Sequence, residues 1–481
     1  MGELRNPLLI IILLVSMVIG SSHLTRGHEW GDDFASYIMQ AKSILNGDMQ
    51  NFVEHNSITI YQSSSQIGPV AYPWGYPLLL APVYAIQGIS PLALKLPGVV
   101  LFAGFLICFY LLTRSRLTRN ESLLLISLFA FNPILIDFLD QILSDIPFLF
   151  FSTLALLLML NDKKHNALDY VLLGGVISFT FFIRTMGIIL LVSFLALQII
   201  RFYRKNMERK TIFINSLVCI LSFGLLWFIA YSIFPSGQDS YFRQLKGFSY
   251  ATFTRNISGY FALFQYFFGN SPAWLYVYYA LIPFFLVGIW TKRNRDLLLI
   301  IFFIAYFLLV ILWPEWQGQR FIFPLLPIFI YFIFEGMMFA IDKLPRAYHQ
   351  IGQVAFYAFW LLLTATFLIN SGTSAYVNLR NNRSINGPFD PYSMQVYDYI
   401  KEKTSPDSVI VFFKPRAMRL MTEHDTIMST ECDHMSTGNY IVLSRKVGEN
   451  QQIAPEEIDS CNLPLEQVLR NRRVIIYKIL K

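Results

Sequence analysis

Residues 211–233 read TIFINSLVCILSFGLLWFIAYSI, a run of 23 positions without a charged side chain. About 20 mostly apolar residues are enough for a helix to cross the roughly 30 Å of hydrocarbon in a bilayer. The same criterion gives about eleven predicted membrane-spanning segments: 7–22, 92–112, 121–136, 146–160, 168–183, 186–200, 211–233, 273–291, 297–313, 320–340 and 350–370. The pattern predicts an all-α polytopic membrane protein, in which the first segment is an uncleaved anchor.

The composition of the 481-residue chain supports this interpretation. Hydrophobic residues make up 55% of the chain and charged residues 14%, and the mean hydropathy is +0.48, which excludes a water-soluble globular protein. Unbroken apolar segments, as opposed to alternating ones, exclude a transmembrane β-barrel. The net charge of +7 lies largely in short loops, so it indicates membrane orientation and predicts no nucleic-acid partner.

Basic residues recur in every second loop, and such loops mark the cytoplasmic side of a membrane protein. These residues are Arg114, Arg116, Arg119, Lys163, Lys164, Arg201, Arg204, Lys205, Arg209, Lys210, Lys292, Arg293, Arg295, Lys343 and Arg346. We therefore expect a multi-pass protein of the plasma (inner) membrane with a cytoplasmic N-terminus. The expected outer segments are 23–91, 137–145, 234–272, 314–319 and everything after about 370.

The last 111 residues differ from the rest, because they carry 27 charged side chains against 42 in the first 370 residues. We predict a membrane domain over 1–370 and a small extracytoplasmic α/β domain over 371–481. The predicted elements are a helix from Tyr392 to Glu402 and strands over 408–413, 440–444 and 474–479. Cys432 and Cys461 lie in this domain, where an oxidising compartment would allow a disulfide.

Two adjacent carboxylates, Asp32 and Asp33, open the first outer loop, and Tyr37 follows one helical turn later. Neighbouring carboxylates repel each other, which raises one pKa unless a cation or a hydrogen-bond donor lies nearby. Such a pair can act as a general base, or it can bind a divalent cation such as Mg²⁺ or Mn²⁺. Alternatively, one of the two caps the helix predicted from Phe34 to Leu45.

Asp145 stands at the outer end of the fourth predicted pass, directly after Ser144. An ionisable group at that depth costs on the order of 2.5–3.5 kcal/mol on insertion scales, so it usually faces a polar cavity. Ser144 and Asp145 also match a helix N-terminus, since Pro147 follows them. The two interpretations are compatible.

Three cations, Lys95, Arg184 and Arg320, stand at the predicted outer boundary, which the positive-inside rule should leave poor in charge. Each side chain could reach lipid headgroups by snorkelling. Their clustering on one side favours an anionic ligand such as a phosphate.

The segment Ala71-Tyr72-Pro73-Trp74-Gly75-Tyr76-Pro77 leads into an apolar run, Leu78 to Gln87, that is too short to span a membrane. We predict a helix in the membrane interface with its Trp and Tyr side chains at headgroup depth. The other interpretation is a wall of a cleft that faces the lipid.

Taken in order, these motifs resemble those of the GT-C superfamily of polytopic glycosyltransferases. The resembling branch contains the protein O-mannosyltransferases and the lipid A aminoarabinose transferases, and the likeness covers about three quarters of the chain. The motifs are the acidic pair with Tyr37 and Ala41, the segment from Tyr72 to Leu80, Lys95-Leu96-Pro97, Leu143-Ser144-Asp145, Arg184, and the stretch from Gln319 to Pro327.

The resemblance implies transfer of a sugar, with inversion, from a polyprenyl-phosphate donor to a lipid, glycan or protein acceptor on the outer side of the membrane. Asp33, or else Asp32, would accept the proton of the acceptor hydroxyl, and Asp145 would be a second acid. Arg184, Arg320 and Lys95 would stabilise the departing phosphate. The aromatic side chains expected in the substrate cleft are Tyr37, Tyr72, Trp74 and Tyr76.

Two departures from the family pattern stand out. The aminoarabinose transferases carry Lys-Pro-Pro-Leu where this chain has Tyr72-Pro73-Trp74-Gly75, and the mannosyltransferases pair Asp with Glu where this chain has two Asp residues. The alternatives from other classes are a secondary transporter of an anionic solute and a membrane scaffold. A transporter of that kind should have internal repeats and charges near the midplane, whereas these charges cluster at one face.

Overall fold

The computed structural model describes residues 6–65, 67–160, 166–204, 208–236, 249–445 and 451–480. Lys163, Lys164 and Lys205, three of the basic residues behind the predicted orientation, lie outside these ranges. The helices up to Asn381 are α1 Pro7–His23, α2 Asp33–Asn46, α3 Met49–Tyr61, α4 Gly75–Gln87, α5 Pro91–Arg114, α6 Arg119–Ala130, α7 Pro133–Leu139, α8 Asp145–Met159, α9 Ala167–Ile183, α10 Ile188–Arg204, α11 Arg209–Ile233, α12 Tyr250–Leu263, α13 Pro272–Lys292, α14 Leu297–Leu312, α15 Leu326–Asp342 and α16 Arg346–Asn381.

Helices occupy the eleven segments predicted to cross the membrane. Within the described ranges, five are long and apolar enough to cross a bilayer, or six if the bent pair α6 and α7 counts as one span. Four other apolar helices have 10–17 residues. The protein is therefore a mostly helical integral membrane protein, as predicted.

Two of the predicted passes differ in detail. The segment 121–136 is broken into α6 and α7, which meet at an angle of 52°. Asn132 causes the break, because its side chain accepts the backbone N–H groups of Ile134 and Leu135, and Pro133 has no N–H to continue α6. The segment 320–340 begins with a 3₁₀ turn, Gly318–Ile322, ahead of α15.

Close helix packing in the membrane part depends on glycine. In α13 and α15, Gly288 and Gly336 face the partner helix, and a Cβ atom there would lie 1.9 Å and 1.8 Å from the carbonyl oxygens of Phe332 and Phe284. Small residues at such crossings let two backbones approach, which is how helices gain packing energy in lipid.

The C-terminal domain has the predicted α/β architecture. Its helices are α17 Pro391–Lys403, α18 Pro415–Thr422 and α19 Cys432–Met435, and its strands are β1 Ile410–Phe412, β2 Thr426–Ile427, β3 Tyr440–Ser444, β4 Leu465–Arg470 and β5 Val474–Ile479. The sheet order is β2-β1-β3-β5-β4, parallel among the first three strands and antiparallel from β3 onward. The sequence pattern missed β2, which has two residues, and β4, which is half exposed.

The predicted boundary between residues 370 and 371 falls inside helix α16. Helix α16 continues past position 370 to Asn381, where Asn382 adopts a left-handed conformation and ends it. Asp390 then caps α17 by accepting the N–H groups of Tyr392 and Ser393. The C-terminal domain therefore begins near residue 390.

This domain packs against the first outer loop. Trp30 contacts Phe412 and Phe413 edge to face, with ring centroids 5.7 and 5.0 Å away. The backbone of Met428 bonds with Ser63 and Ser64, since the Met428 N–H donates to Ser63 Oγ over 2.8 Å and its carbonyl accepts the Ser64 N–H over 2.9 Å. The loop and the domain thus share one packed interface.

The disulfide between Cys432 and Cys461 generates a prediction. It closes a loop across a sequence separation of 29 residues, which the chain-entropy account values at about 3.6 kcal/mol. We expect Cys432→Ser/Cys461→Ser to lower the thermal unfolding temperature of the purified protein, and reducing agent to lower that of the wild type alone. Cys108→Ser, which removes a buried free thiol in α5, is the control: it should leave the sensitivity to reducing agent intact. Equal sensitivity of the wild type and the double variant would contradict the prediction.

Candidate active site

A cavity of about 190 Å³ lies where the predicted outer loops meet the helix ends. Its walls come from the first turns of α2, from residues 67–73, from Ser144, from residues 183–186 and from residues 313–321. The start of α4 can approach the end of α9 because a Cβ atom at Gly75 would lie 2.7 Å from the carbonyl group of Phe182. Five segments distant in sequence therefore form one polar cavity.

Asp33 lines the cavity as the first residue of α2. Its carboxylate accepts a hydrogen bond from the Tyr72 hydroxyl at 2.6 Å and forms an ion pair with Arg320 at 2.9 Å. Burial by itself would raise the pKa of Asp33, but Arg320 and the Tyr72 hydroxyl outweigh it and hold the pKa below its ordinary value. Asp33 is thus an ionised carboxylate at neutral pH.

Asp32 points away from the cavity, toward the C-terminal domain. Its carboxylate accepts the backbone N–H of Arg416 at 3.1 Å and lies 3.8 Å from the Lys414 ammonium group. Burial raises the pKa of Asp32, although the nearby Lys414 and Arg416 cations act to lower it. Among the described residues, its side chain makes no N-cap hydrogen bond to α2, so the capping alternative is wrong and its role is at the domain junction.

Asp145 and Arg184 form an ion pair at the cavity wall. Arg184 lines the cavity, and its guanidinium group also lies over the rings of Phe148 and Phe321, 5.7 and 5.1 Å from their centroids. Arg184 therefore points inward and does not snorkel to the headgroups. Asp145 is buried as the first residue of α8, and no cap bond from Ser144 to that helix is seen in the described residues.

The aromatic residues divide into two groups. Tyr37 and Tyr72 line the cavity, and the Tyr37 hydroxyl lies 3.0 Å from Ser144 Oγ. Tyr76 packs edge to face behind Tyr37, and Trp74 donates its indole N–H to the carbonyl of Pro235 at 2.9 Å. Tyr76 and Trp74 thus support the wall without lining it.

The structure does not bring Lys95 to the cavity. Its ammonium group is buried and bonds to Asp140 at 2.6 Å, to the Gly27 carbonyl at 2.6 Å and to the Thr25 carbonyl at 3.0 Å. His28 ties the same loop to the next one, since Ile142 N–H donates to its Nε2 at 3.0 Å, and burial lowers the pKa of His28 to about 4. Lys95 is a structural clamp, which corrects its expected place beside Arg184 and Arg320.

Two cavity residues were missed from sequence. Glu315 lines the cavity and is exposed, and Gln317 accepts a hydrogen bond from Arg320 at 2.6 Å. Both lie in the predicted outer loop 314–319. A carboxylate between Trp313 and Trp316 is the sequence signal that could have identified this loop.

The acidic pair does not fit a divalent cation. Asp32 and Asp33 face different partners. Each carboxylate already contacts one cation and one hydrogen-bond donor. Within the described ranges, no group of three or more His, Cys, Asp or Glu side chains is arranged to hold a metal ion. The expected Mg²⁺ or Mn²⁺ site at this pair is therefore not supported.

Comparison with known proteins finds one family model that matches part of the chain and solved structures that share its fold. Residues 71–228 match the family described as dolichyl-phosphate-mannose-protein mannosyltransferase. No curated sequence matches the chain at a significant level.

Two solved structures have a similar fold. One is the oligosaccharyltransferase AglB from Archaeoglobus fulgidus in complex with an inhibitory peptide and a dolichol-phosphate (TM-score 0.61, 13% identity, 92% of this chain and 70% of AglB). The other is ArnT from Cupriavidus metallidurans bound to undecaprenyl phosphate (TM-score 0.58, 13% identity, 97% of both chains). The family model covers about a third of the chain, and the two structures show that the chain shares their fold.

Proposed function

We propose that the protein is an inverting glycosyltransferase that moves a sugar from a polyprenyl-phosphate donor to a lipid, glycan or protein acceptor. The observation that carries the proposal is the arrangement of Tyr72, Asp33 and Arg320 around one cavity, together with the ion pair of Arg184. The polyprenyl-phosphate ligands of AglB and ArnT support the choice of donor. The reaction takes place on the outer side of the plasma (inner) membrane, with the N-terminus in the cytoplasm.

Asp33 is the proposed base. It lines the cavity, its carboxylate is about one quarter exposed, and Arg320 and Tyr72 fix both of its oxygens. Burial beside this carboxylate raises the pKa of Tyr72 far above its ordinary value, so the phenol stays protonated and donates to Asp33. A carboxylate held in this way can accept the proton of an acceptor hydroxyl as the new bond forms.

Arg184 and Arg320 are the proposed ligands of the donor phosphate. A guanidinium group has five N–H donors, and the ion pairs with Asp145 and Asp33 use only some of them. Both arginines line the cavity, so their other donors can meet an anion there. Cations fixed in advance where negative charge develops are an effective way to lower the barrier of such a reaction.

The proposed step balances without an added group. The acceptor oxygen attacks the anomeric carbon and gives its proton to Asp33, while the bond from that carbon to the phosphate oxygen breaks. The phosphate leaves with the electron pair and is stabilised by the two arginines. Tyr37 and Tyr72 form the adjoining wall, where aromatic faces can pack on a sugar ring.

The experiment that tests the function measures polyprenyl phosphate released from a panel of polyprenyl-phosphate sugars by protein in lipid, with and without chelator. We expect Asp33→Asn to lower turnover by ~10²–10⁴-fold, the usual contribution of a positioned base. Asp137→Asn is the matched control, because Asp137 is an exposed carboxylate that pairs with His23 and does not line the cavity. Asp32→Asn should keep the chemistry that Asp33→Asn loses.

Three outcomes would contradict parts of this scheme. No release from any donor would reject the transferase. Equal losses in Asp33→Asn and Asp137→Asn would reject Asp33 as the base. Loss of release with chelator would reject the scheme without a divalent cation. Movement of an anionic solute across vesicles, without release of polyprenyl phosphate, would support a transporter.

The dependence of turnover on pH gives a second prediction. Arg320 depresses the pKa of Asp33, so the base stays deprotonated well below neutral pH and the wild type should keep its turnover as the pH falls to about 5. Arg320→Gln removes that cation, so the pKa of Asp33 should rise. The acid limb of the pH–turnover profile, where turnover falls as Asp33 is protonated, should then move to higher pH. Arg184→Gln should lower turnover without moving the limb, because Arg184 pairs with Asp145. Equal acid limbs in wild type and Arg320→Gln would contradict the assignment.

A further inference from the structure

Arg416 is a fully buried cation that the C-terminal domain places next to the cavity. It is the second residue of α18, and its exposed fraction is 0%. Burying a charged group is costly unless partners satisfy it, so the contacts of Arg416 indicate what it does.

Arg416 holds the first outer loop at three points. Its backbone N–H donates to Asp32 at 3.1 Å, and its guanidinium group donates to the Pro69 carbonyl and to the Tyr72 hydroxyl, the latter at 3.4 Å. The guanidinium carbon lies 5.3 Å from the centroid of the Tyr72 ring. In the part of the chain that the structure describes, no carboxylate lies within salt-bridge distance of this guanidinium group.

The loop is shaped around this side chain. Gly68 has a φ of +114°, which favours glycine, and a Cβ atom there would lie 3.1 Å from the Tyr72 hydroxyl and 3.5 Å from Arg416 Nη1. Ile67, Gly68, Pro69 and Tyr72 all line the cavity. Arg416 therefore lies directly behind the wall that these residues form.

The contact with Tyr72 has a direction. A guanidinium group can only donate, so the Tyr72 oxygen accepts from Arg416 and the phenolic hydrogen remains free to point at Asp33, 2.6 Å away. Arg416, Tyr72 and Asp33 thus form a chain of two hydrogen bonds from the C-terminal domain to the proposed base.

We propose that Arg416 is a positioning residue of the active site, through which the C-terminal domain orients Tyr72 and holds residues 67–72 in place. The inference rests on the proposed function for its catalytic meaning, but the geometric part stands without it. The C-terminal domain is then a working part of the enzyme, since it supports one wall of the cavity from behind.

The first test needs no substrate. Hydrogen exchange of the full-length protein in lipid should show faster exchange in peptides spanning 67–76 for Arg416→Gln than for wild type. Arg419→Gln is the matched control, because Arg419 lies one turn further along the same helix and lines a different cavity with Lys42 and Phe52. Arg416→Lys keeps the buried charge but not the guanidinium hydrogen bonds. If Arg416→Gln does not fold, the same exchange measurement over 67–76 is made with Arg416→Lys. Unchanged exchange over 67–76 would overturn the proposal.

The second test is kinetic and uses Tyr72→Phe. If Arg416 acts through the Tyr72 hydroxyl, Arg416→Gln should lower kcat about tenfold in the wild type and less than about twofold in Tyr72→Phe, because coupled residues are not additive. Arg416→Lys should recover part of the loss. Equal losses in both backgrounds would indicate a purely structural residue and overturn the proposal.

The two tests separate this proposal from the function on which it rests. A wild type that releases no polyprenyl phosphate from any donor would reject the transferase, while hydrogen exchange would still decide whether Arg416 holds the wall. A wild type that transfers sugar, with additive losses in the kinetic test, would reject the role of Arg416 alone.

Discussion

The ion pair between Asp33 and Arg320 joins two segments that are 287 residues apart. Opposite charges at a membrane surface attract strongly when water is partly excluded, and each of them would be costly to bury alone. The pair therefore holds the start of α2 against the turn Gly318–Ile322, and the cavity exists because these segments meet. The same pair keeps the proposed base ionised and leaves guanidinium donors for an anion.

A buried charge in this region needs a partner that offsets the cost of burial, but charged residues that look equivalent in the sequence have different roles. Arg184 and Lys95 both pair with a carboxylate of the outer loop 137–145, but Arg184 lines the cavity and Lys95 lies under the loops. The neighbouring acids Asp32 and Asp33 separate in the same way, one toward the C-terminal domain and one toward the cavity. Pairing removes the charge penalty in each case, and the backbone around each pair decides whether a ligand can reach it.

The C-terminal domain supports the site through the loop that carries Tyr72. Its sheet and α18 pack on the first outer loop through Trp30, Ser63 and Asp32, and Arg416 projects from this interface toward Tyr72. Arg184 follows α9 and Arg320 lies in the turn Gly318–Ile322, and both line the cavity, whereas the loop that carries Tyr72 also contacts the C-terminal domain through Arg416.

The sequence by itself determined the positions of the eleven apolar helical segments, the mixed C-terminal domain and the residues of the acidic pair, because hydrocarbon thickness and strand alternation each impose a recognisable pattern on a sequence. Tertiary structure alone decided that Asp33 and Glu315 line the cavity and that Lys95 does not. It also decided that Arg416 lies behind the wall formed by Pro69 and Tyr72. A charged residue near a membrane boundary looks the same in sequence whether it pairs to brace a loop or to bind a ligand. The difference lies in which distant segment brings the partner, and that is set by the packing of helices and domain against each other.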